Sequence, residues 1–370
     1  MPEIASGGTV TLKPVMDAEP QQVIVTSSFR VRRLTTLAFS SSLTVMLLLA
    51  VGVGAVEMSP MQVLSIIFHK LGFIAGGNFT DRQESVLLAI RLPRVLLGLA
   101  VGAGLAVSGA VLQALFKNPL ADPALIGVSS GASLAVAIFI VFGETFAAAF
   151  LLTNKTFLLP IAAFAGGLAA TVLVYRLGKR RSGLDAATML LAGIAVNAFV
   201  GAGIGLMSFA ATDAQLRNIT FWSLGSLAGA TWSNVALAVP LILLAVFLIL
   251  RLSRQLNVLL LGEAEARHLG VNVGRLKWQA IALVALAVGA GVSVTGAIGF
   301  VGLVVPHLLR LTTGSDHRFL LVNSALLGAN LLLAADLLAR TILIPAEVPI
   351  GIITALIGAP FFMWLLFKKA

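Results

Sequence analysis

Residues able to carry out bond chemistry are few in this sequence and form no recognisable constellation. The histidines are scattered, with neither an HExxH motif nor an i,i+4 pair: His69, His268, His307 and His317. Ser129 and Ser130 have no histidine at a suggestive position, and the chain contains no cysteine, which excludes disulfides, thiolate metal sites and thiol nucleophiles. The sequence therefore predicts no enzyme, no metal site and no permanently bound cofactor.

Nucleotide chemistry is not indicated within the chain either. Gly178-Lys179 is followed by Arg180, where the GxxxxGK[ST] motif of a P-loop requires serine or threonine. Energy for any work must then come from an ion gradient or from a partner that binds ATP. An ion-coupled carrier usually buries charged ligands at mid-membrane, whereas Asp336 lies near a predicted helix end and Asp122 in a predicted turn. A gradient is the less favoured source.

The apolar composition of the chain indicates what kind of secondary structure holds these residues. Hydrophobic residues make up 59% of the 370 and charged residues 11%, and the mean hydropathy is +1.03, whereas soluble proteins carry roughly 25% charged residues. Unbroken apolar runs such as Leu241–Leu250 do not fit the alternating strands of a membrane barrel. The fold class is an all-α polytopic membrane protein.

Apolar windows long enough to cross the hydrocarbon of a bilayer predict about ten transmembrane helices. They lie at 37–56, 92–116, 124–142, 157–177, 186–208, 234–252, 278–297, 299–312, 319–339 and 350–367. The eighth window is short and is interrupted by Gly299, Gly302 and Pro306. Residues 34–370 are assigned to one transmembrane domain.

Basic residues orient this domain. With ten helices, most of the 25 Lys and Arg residues lie on the side that holds both termini, so the positive-inside rule makes that side cytoplasmic. The polar residues 1–33 are predicted to be a disordered cytoplasmic tail. The net charge of +10 is then mostly a matter of topology, and no nucleic-acid partner is predicted.

An internal repeat links two of the predicted helices. Leu99–Ala110 (LAVGAGLAVSGA) and Leu286–Ala297 (LAVGAGVSVTGA) lie 187 residues apart and are identical at nine of twelve positions. As the second and seventh of ten helices, they would run in opposite directions. Inverted internal repeats of this kind are typical of transporters.

A segment between the sixth and seventh helices is too polar to span a membrane and too apolar to stay solvated. It reads LNVLLLGEAEARHLGVNV over Leu256–Val273. Glu263–Leu269 predicts a short amphipathic helix that ends at Gly270. The apolar side of such a helix needs either a partner surface or the lipid interface.

Six further motifs accompany this segment in a fixed order. They are Arg91–Arg94 (RLPR), Gly109–Gly131 (GAVLQALFKNPLADPALIGVSSG), Leu191–Asn197 (LAGIAVN), Trp222–Leu227 (WSLGSL), Gly296–Arg310 (GAIGFVGLVVPHLLR) and Val348–Pro360 (VPIGIITALIGAP). Over about residues 35–370 the chain resembles the permease subunits of binding-protein-dependent ABC importers for iron-siderophores, haem and vitamin B12.

The resemblance implies an assembly and a set of partners. It implies a homodimer of ten-helix permease domains around a central translocation path in the bacterial inner membrane. Two ABC ATPase subunits would lie on the cytoplasmic side and hydrolyse ATP, and a periplasmic binding protein would deliver the cargo. The permease would have no enzymatic activity of its own.

Roles for particular residues also follow from the resemblance. Arg91, Arg94 and Arg340 would dock glutamates of the binding protein, and Asn118 and Leu120 would form a cytoplasmic gate, which the connection Arg180–Asp185 could also frame. Loop 253–276 would couple to the ATPase. Its coupling residues would be Leu260, Gly262, Glu263, Glu265, Ala266, Arg267, His268, Leu269 and Gly270.

The cargo is indicated by three stretches that look most like the haem-importing branch. These are Asp213–Leu227, Gly314–Arg318 and His268–Val273. Haem is the first choice, a ferric siderophore the second and cobalamin the third. An ion-coupled secondary transporter is the more distant alternative.

Overall fold

The chain is nearly all helical. A computed structural model describes residues 29–54, 56–73, 77–149, 157–180 and 183–369. Within these ranges the helices are α1 (Phe29–Gly52), α2 (Pro60–Lys70), α3 (Asp81–Val86), α4 (Leu92–Leu115), α5 (Val128–Ala149), α6 (Leu158–Gly178), α7 (Ala186–Ala210), α8 (Asp213–Leu224), α9 (Trp232–Arg251), α10 (Ser253–Leu259), α11 (Glu263–His268), α12 (Val273–Thr295), α13 (Val301–Thr313), α14 (His317–Thr341) and α15 (Ile350–Lys369). The predicted all-α class is confirmed.

Four short elements connect these helices within the described ranges. A π turn, Leu87–Arg91, joins α3 to α4 so that helix runs without interruption from Asp81 to Leu115. A 3₁₀ turn, Pro123–Ile126, precedes α5. Strands β1 (Lys179–Arg180) and β2 (Gly183–Leu184) pair antiparallel between α6 and α7.

Membrane-crossing capacity can be judged from length and composition. In the described part of the chain, seven helical stretches are long and apolar enough to span a bilayer: α1, the continuous α3–α4, α6, α7, α9, α12 and α14. Three shorter apolar helices are Val128–Gly143 within α5, α13, and Ile350–Trp364 within α15. Each of these ten segments overlaps one of the ten predicted windows, and the count of ten spans stays a prediction.

The beginning of α1 corrects the predicted tail boundary. Residues 29–33 are helical, whereas the sequence placed them in a disordered tail; residues 1–28 lie outside the described ranges. Arg32 anchors this first turn: its Nη1 lies 3.0 Å from Oδ2 of Asp316, and its guanidinium lies 5.1 Å from the ring centroid of Phe319. Contacts made far along the chain therefore extend the helix beyond its apolar window.

Four helices were not predicted because each is too short or too polar for an apolar window: α2, α3, α8 and α10. A local signal was present for three of them. Ser59, Thr80 and Thr212 each form a capping box with the glutamine three residues later. This S/T-x-x-Q pattern marks a helix start independently of hydrophobicity.

The third predicted helix starts later than expected. Asp122 caps the 3₁₀ turn through a 2.8 Å bond that it accepts from the Ala124 amide, and α5 begins only at Val128. Gly127 separates the two elements at a φ of +82°. A left-handed residue of this kind is compatible with glycine and breaks the helix.

The helices pack as two groups that share α12. In the first group, α4 contacts α9, α13 and α14, while α1 packs on α14. In the second group, α5, α6 and α7 contact one another. Because α12 contacts α4 and α9 as well as α5 and α6, it is the main structural bridge between the groups.

Glycines bring helix backbones together within each group. A methyl group at Gly109 would overlap the carbonyl oxygen of Gly302, and one at Gly131 would overlap that of Gly166. Close approach through small residues is a common packing mode of membrane helices. These crossings fix α4 against α13 and α5 against α6.

Candidate functional site

Helix α14 carries polar clusters at both of its ends. Asp316 and His317 lie at its start, and Asp336 and Arg340 lie near its end. Twenty residues of α-helix, at 1.5 Å each, separate the two clusters by about 30 Å. One cluster contacts loop 253–276, and the other contains all three arginines that the sequence singled out.

The cluster near the end of α14 is formed by Arg91, Arg94, Asp336, Arg340 and Glu347, and we refer to it as the arginine cluster. Nε of Arg94 donates to both carboxylate oxygens of Asp336, at 2.9 and 3.1 Å. Its Nη1 donates to both oxygens of Glu347, at 3.0 and 2.9 Å. Charge-assisted bonds of this kind are among the strongest in proteins, so Arg94 joins α4 to α14 and to the segment that follows it.

The other two arginines cap the end of α1. Arg91 donates to the carbonyls of Val51, Gly52 and Val56, and Arg340 donates to the carbonyl of Ala50. The last carbonyls of a helix lack intrahelical partners and carry partial negative charge. Two guanidinium groups at this position therefore stabilise the helix end directly.

A π turn aims Arg91 at these carbonyls. The turn spans Leu87–Arg91, and the indole Nε1 of Trp232 donates to the carbonyl of Leu88 inside it, at 2.8 Å. A π turn changes the register between the helix before it and the helix after it, and such turns are frequent at functional sites. Trp232 thus satisfies a carbonyl in the irregular stretch that positions the cluster.

The structure brings the three predicted docking arginines together but also buries them. Arg91 and Arg94 are 4% and 6% exposed, and the side chain of Arg340 is 7% exposed. Glu347, whose side chain is 39% exposed, is the most accessible member. Contact with a binding protein stays a prediction for these arginines.

Two acidic members of the cluster had no place in the sequence-based site. Asp336 was noted only as an acid near a helix end, and Glu347 was not singled out. The i,i+4 spacing of Asp336 and Arg340 was a visible signal for a pair on one helix face, and their closest N–O distance is 3.8 Å. Nothing in the sequence pointed to Glu347, because its partner Arg94 lies 253 residues away.

Loop 253–276 folds as a helical corner. Helix α10 ends at Leu259, α11 begins at Glu263, and Gly262 between them has a φ of +131°. Leu256, Leu259 and Ala266 are buried against the rest of the chain. The short amphipathic helix predicted for this loop is confirmed, ending at His268 rather than Leu269, with Gly270 at a φ of +81°.

The opposite side of this corner is open. Leu260, Leu261 and Leu269 are 45%, 65% and 62% exposed. Of the other residues predicted to couple, Glu265, Arg267, His268 and Gly270 are exposed, whereas Gly262 and Glu263 are partly buried. The loop therefore presents leucines surrounded by charged side chains, which is a suitable surface for docking on a partner.

The first half of the loop is held by a polar cluster at the start of α14. Asn257 donates from Nδ2 to Oδ1 of Asp316 at 2.7 Å, and its Oδ1 accepts from the backbone N–H of His317 at 2.7 Å. Burial would raise the pKa of Asp316. The hydrogen bonds from Asn257 and the Arg318 amide, with the charges of Arg32 and Arg318, outweigh burial and hold the pKa below its usual value.

The second half of the loop is held by one lysine. Nζ of Lys277, on α12, lies 2.5 Å from Oε1 of Glu263 and donates to the carbonyl of Leu184 at 2.9 Å. The Lys277 side chain is only 4% exposed. Lys277 therefore joins the start of α11 to strand β2 of the hairpin between α6 and α7.

The predicted gate residues lie in the turn after α4. Oδ1 of Asn118 accepts from the Leu120 amide at 2.9 Å, and Leu120 is 38% exposed. Pro119 and Leu120 line a small apolar recess with His307 and Phe361. Opening or closure at this turn stays a prediction.

The part of the chain that the structure describes was predicted to hold no metal site, and its His, Asp and Glu side chains are dispersed. No group of three or more His, Cys, Asp or Glu side chains there could hold a metal ion. The four histidines take separate positions, and the ring Nδ1 of His317 lies 2.9 Å from Oδ1 of Asn257.

Comparison with known proteins places this architecture among transporters. The sequence pattern of the FecCD transport family matches residues 42–368. The haemin transport system permease protein HmuU of Yersinia pestis is 46% identical over 323 residues, which cover 87% of this chain and 94% of that protein. The vitamin B12 import system permease protein BtuC of Vibrio cholerae is 40% identical over 307 residues, or 83% and 90% of the two chains.

A solved structure has a similar fold. It shows an inward-facing conformation of an ABC transporter assigned to the metal-chelate type. The TM-score is 0.78 at 33% sequence identity, and the match covers 91% of this chain and 99% of the other.

Proposed function

Because the chain belongs to the FecCD transport family and is a permease subunit of the ABC importer type, we propose that the cargo it moves across the bacterial inner membrane is haem. The observation that carries this choice is the similarity to HmuU, at 46% identity over nearly the whole of that protein. Similarity to vitamin B12 permeases at 40% makes cobalamin the leading alternative, with a ferric siderophore beside it.

We propose that ATP hydrolysis by two separate ATPase subunits drives the movement. Support comes from loop 253–276, whose leucines are exposed on one side while Leu256, Leu259 and Ala266 anchor the other. An exposed apolar patch on an ordered loop favours a protein partner. Family membership favours ATP-driven import over ion-coupled transport.

In this proposal the loop faces the cytoplasm, as do both termini, and the arginine cluster lies at the periplasmic end of α14. A soluble binding protein would approach that end and deliver the cargo. The cluster carries three positive and two negative groups, so a net positive charge favours an acidic docking surface. Asn118 and Leu120 would lie at the inner mouth of the path.

Two copies of the chain would form the path between them, with ten spans in each copy. The repeat supports an internal symmetry within each copy. Gly104 and Gly291 occupy equivalent positions in Leu99–Ala110 and Leu286–Ala297, and both face Ile242 on α9. Matching positions thus meet the same side chain, as expected where two related helices cross around a common neighbour.

Reconstituted vesicles test the proposal. The permease, its ATPase and its binding protein should accumulate haem only when ATP is supplied, and an ionophore should not abolish uptake. Retention of cobalamin or a ferric siderophore, but not haem, by the cognate binding protein would overturn the cargo. Uphill uptake by the permease alone would overturn the ATP-driven mechanism, and native mass spectrometry of the solubilised protein would test the dimer.

A further inference from the structure

Loop 253–276 is attached to the helix bundle at two separate points. Its first half is bonded through Asn257 to Asp316 and His317, at the start of α14. Its second half is bonded through Glu263 to Lys277 and, by the same ammonium group, to Leu184. Each attachment uses a polar side chain directed to a specific acceptor or donor.

The two attachments reach different helix groups. Asn257 connects α10 to the group that contains α4 and α14, and Arg32 extends this connection to α1 through Asp316. Lys277 connects α11 to the hairpin between α6 and α7, which belong to the second group. A displacement of α11 would thus act on both groups at the same time.

The Lys277 junction is the stronger of the two. The ammonium group is almost fully buried, with two oxygen partners at hydrogen-bond distance. In a poorly solvated position, loss of one partner leaves a charge that is costly to maintain. The junction therefore resists separation of α11 from the hairpin more than an exposed ion pair would.

We propose that Lys277 and Asn257 are positioning residues that connect the ATPase-facing loop to the two helix groups. Through these connections, the movements of the two helix groups are coupled to each other. This inference rests on the proposed function, because it concerns the same loop. Neither residue contacts the partner in this scheme. Each acts by determining how far a displacement of α11 is passed to the hairpin or to α14.

Lys277→Met provides the main test, because methionine keeps an unbranched chain while losing the ammonium group. In vesicles containing the permease, the ATPase and the binding protein, we expect the amount of cargo moved per ATP hydrolysed to fall about tenfold. Lys277→Arg, which keeps the charge, should recover most of this ratio. Asn257→Leu should lower the ratio in the same direction, but less.

A matched control is Lys179→Met, which removes an exposed lysine from the hairpin itself and should keep the wild-type ratio. Co-purification of the ATPase with each variant separates a coupling defect from loss of assembly. If Lys277→Met does not fold, Glu263→Gln replaces it, because glutamine keeps an acceptor for Lys277 while removing the ion pair, and the ratio should then fall in the same direction.

Three results distinguish failure of this inference from failure of the proposed function. Wild-type vesicles that show no ATP-dependent uptake would overturn the proposed function. Wild-type uptake together with an unchanged ratio in Lys277→Met and Asn257→Leu would overturn the positioning role alone. A proportional fall in uptake and hydrolysis, with the ratio intact, would also overturn it.

Discussion

The arginine cluster and loop 253–276 lie about 30 Å apart along α14. They differ in which side chains are buried and which are exposed. In the cluster, Arg91 and Arg94 are buried and bonded to groups of the same chain. In the loop, Leu261 and Leu269 are more than half exposed. The cluster is bonded mainly to groups of its own chain, whereas the leucines of the loop are open. Substitutions of buried residues in the cluster should therefore act mainly on stability, and substitutions of exposed residues in the loop should act mainly on binding of the ATPase.

Asp336→Ala should have the largest effect, because it removes the buried carboxylate of the cluster. Asp336 is 1% exposed, and its removal leaves Arg94 and Arg340 without the buried carboxylate between them. We expect a loss of about 3–5 kcal/mol in the free energy of unfolding, because Arg340 stays buried without its ion-pair partner while Arg94 keeps only Glu347. Thermal unfolding of the solubilised protein measures the loss.

The matched control is Glu347→Ala, which removes the more exposed carboxylate from the same arginine. A loss of about 1 kcal/mol or less is expected there. Equal losses for the two variants would contradict a cluster organised around Asp336.

Leu269→Asp should act on the loop without acting on the fold. Leu269 is 62% exposed, so the free energy of unfolding should change by about 0.5 kcal/mol or less. Affinity for the ATPase should fall about 10- to 100-fold, as for an apolar residue at the centre of an interface. Titration of the ATPase into permease-containing vesicles measures the affinity.

Leu256→Asp is the corresponding change at a fully buried leucine of the same loop. It should lower the stability of the loop as well as the affinity. If the exposed and the buried variant behaved alike, the division of the loop into an anchored and an open side would be wrong.

Glu347→Gln should have a smaller effect, and this effect should be on association with the binding protein. With glutamine at position 347, Arg94 keeps only one carboxylate partner, and the net positive charge of the cluster rises. An acidic binding protein should therefore associate about threefold faster. Stopped-flow association at low ionic strength measures the rate. Glu57→Gln, an exposed acid after α1, controls for the change in overall charge, and an equal increase there would argue against a local role of Arg94.

The smallest effect concerns the attachment of the loop at Asp316. A folded-state pKa below the usual value means that the carboxylate stabilises the fold at pH values above its unfolded pKa of about 3.9. The difference in unfolding midpoint between the wild type and Asp316→Asn should stay constant from pH 7 to pH 5. It should shrink only as the pH falls below about 4, and shrinkage near pH 6 would contradict the assignment.

The sequence predicted those parts of the molecule that depend on local apolarity. The helical class, the short helix at Glu263 and the exposed side of the loop follow from runs of neighbouring residues, and the structure contains them. The grouping of Arg91, Arg94 and Arg340 came from the resemblance to a family, and the structure brings the three together.

What the sequence did not predict depends on contacts between distant residues. The burial of Arg94 requires Asp336 and Glu347, each more than 240 positions away, and no local pattern indicates such pairs. The hairpin contact of Lys277 involves a backbone carbonyl 93 residues earlier, which carries no side-chain signature. Long-range polar pairing is therefore the part of the site that required three-dimensional information.

The π turn at Leu87–Arg91 accommodates one more residue than a regular helical turn. Deleting a single residue there would restore ordinary winding and rotate Asp81–Val86 by roughly 100° relative to α4. Trp232 would then lose its acceptor at Leu88, and the side chains of α3 would point in a different direction. A one-residue gap at this place in a homologous sequence would mark a permease in which the helix before α4 and its contact with Trp232 are arranged differently.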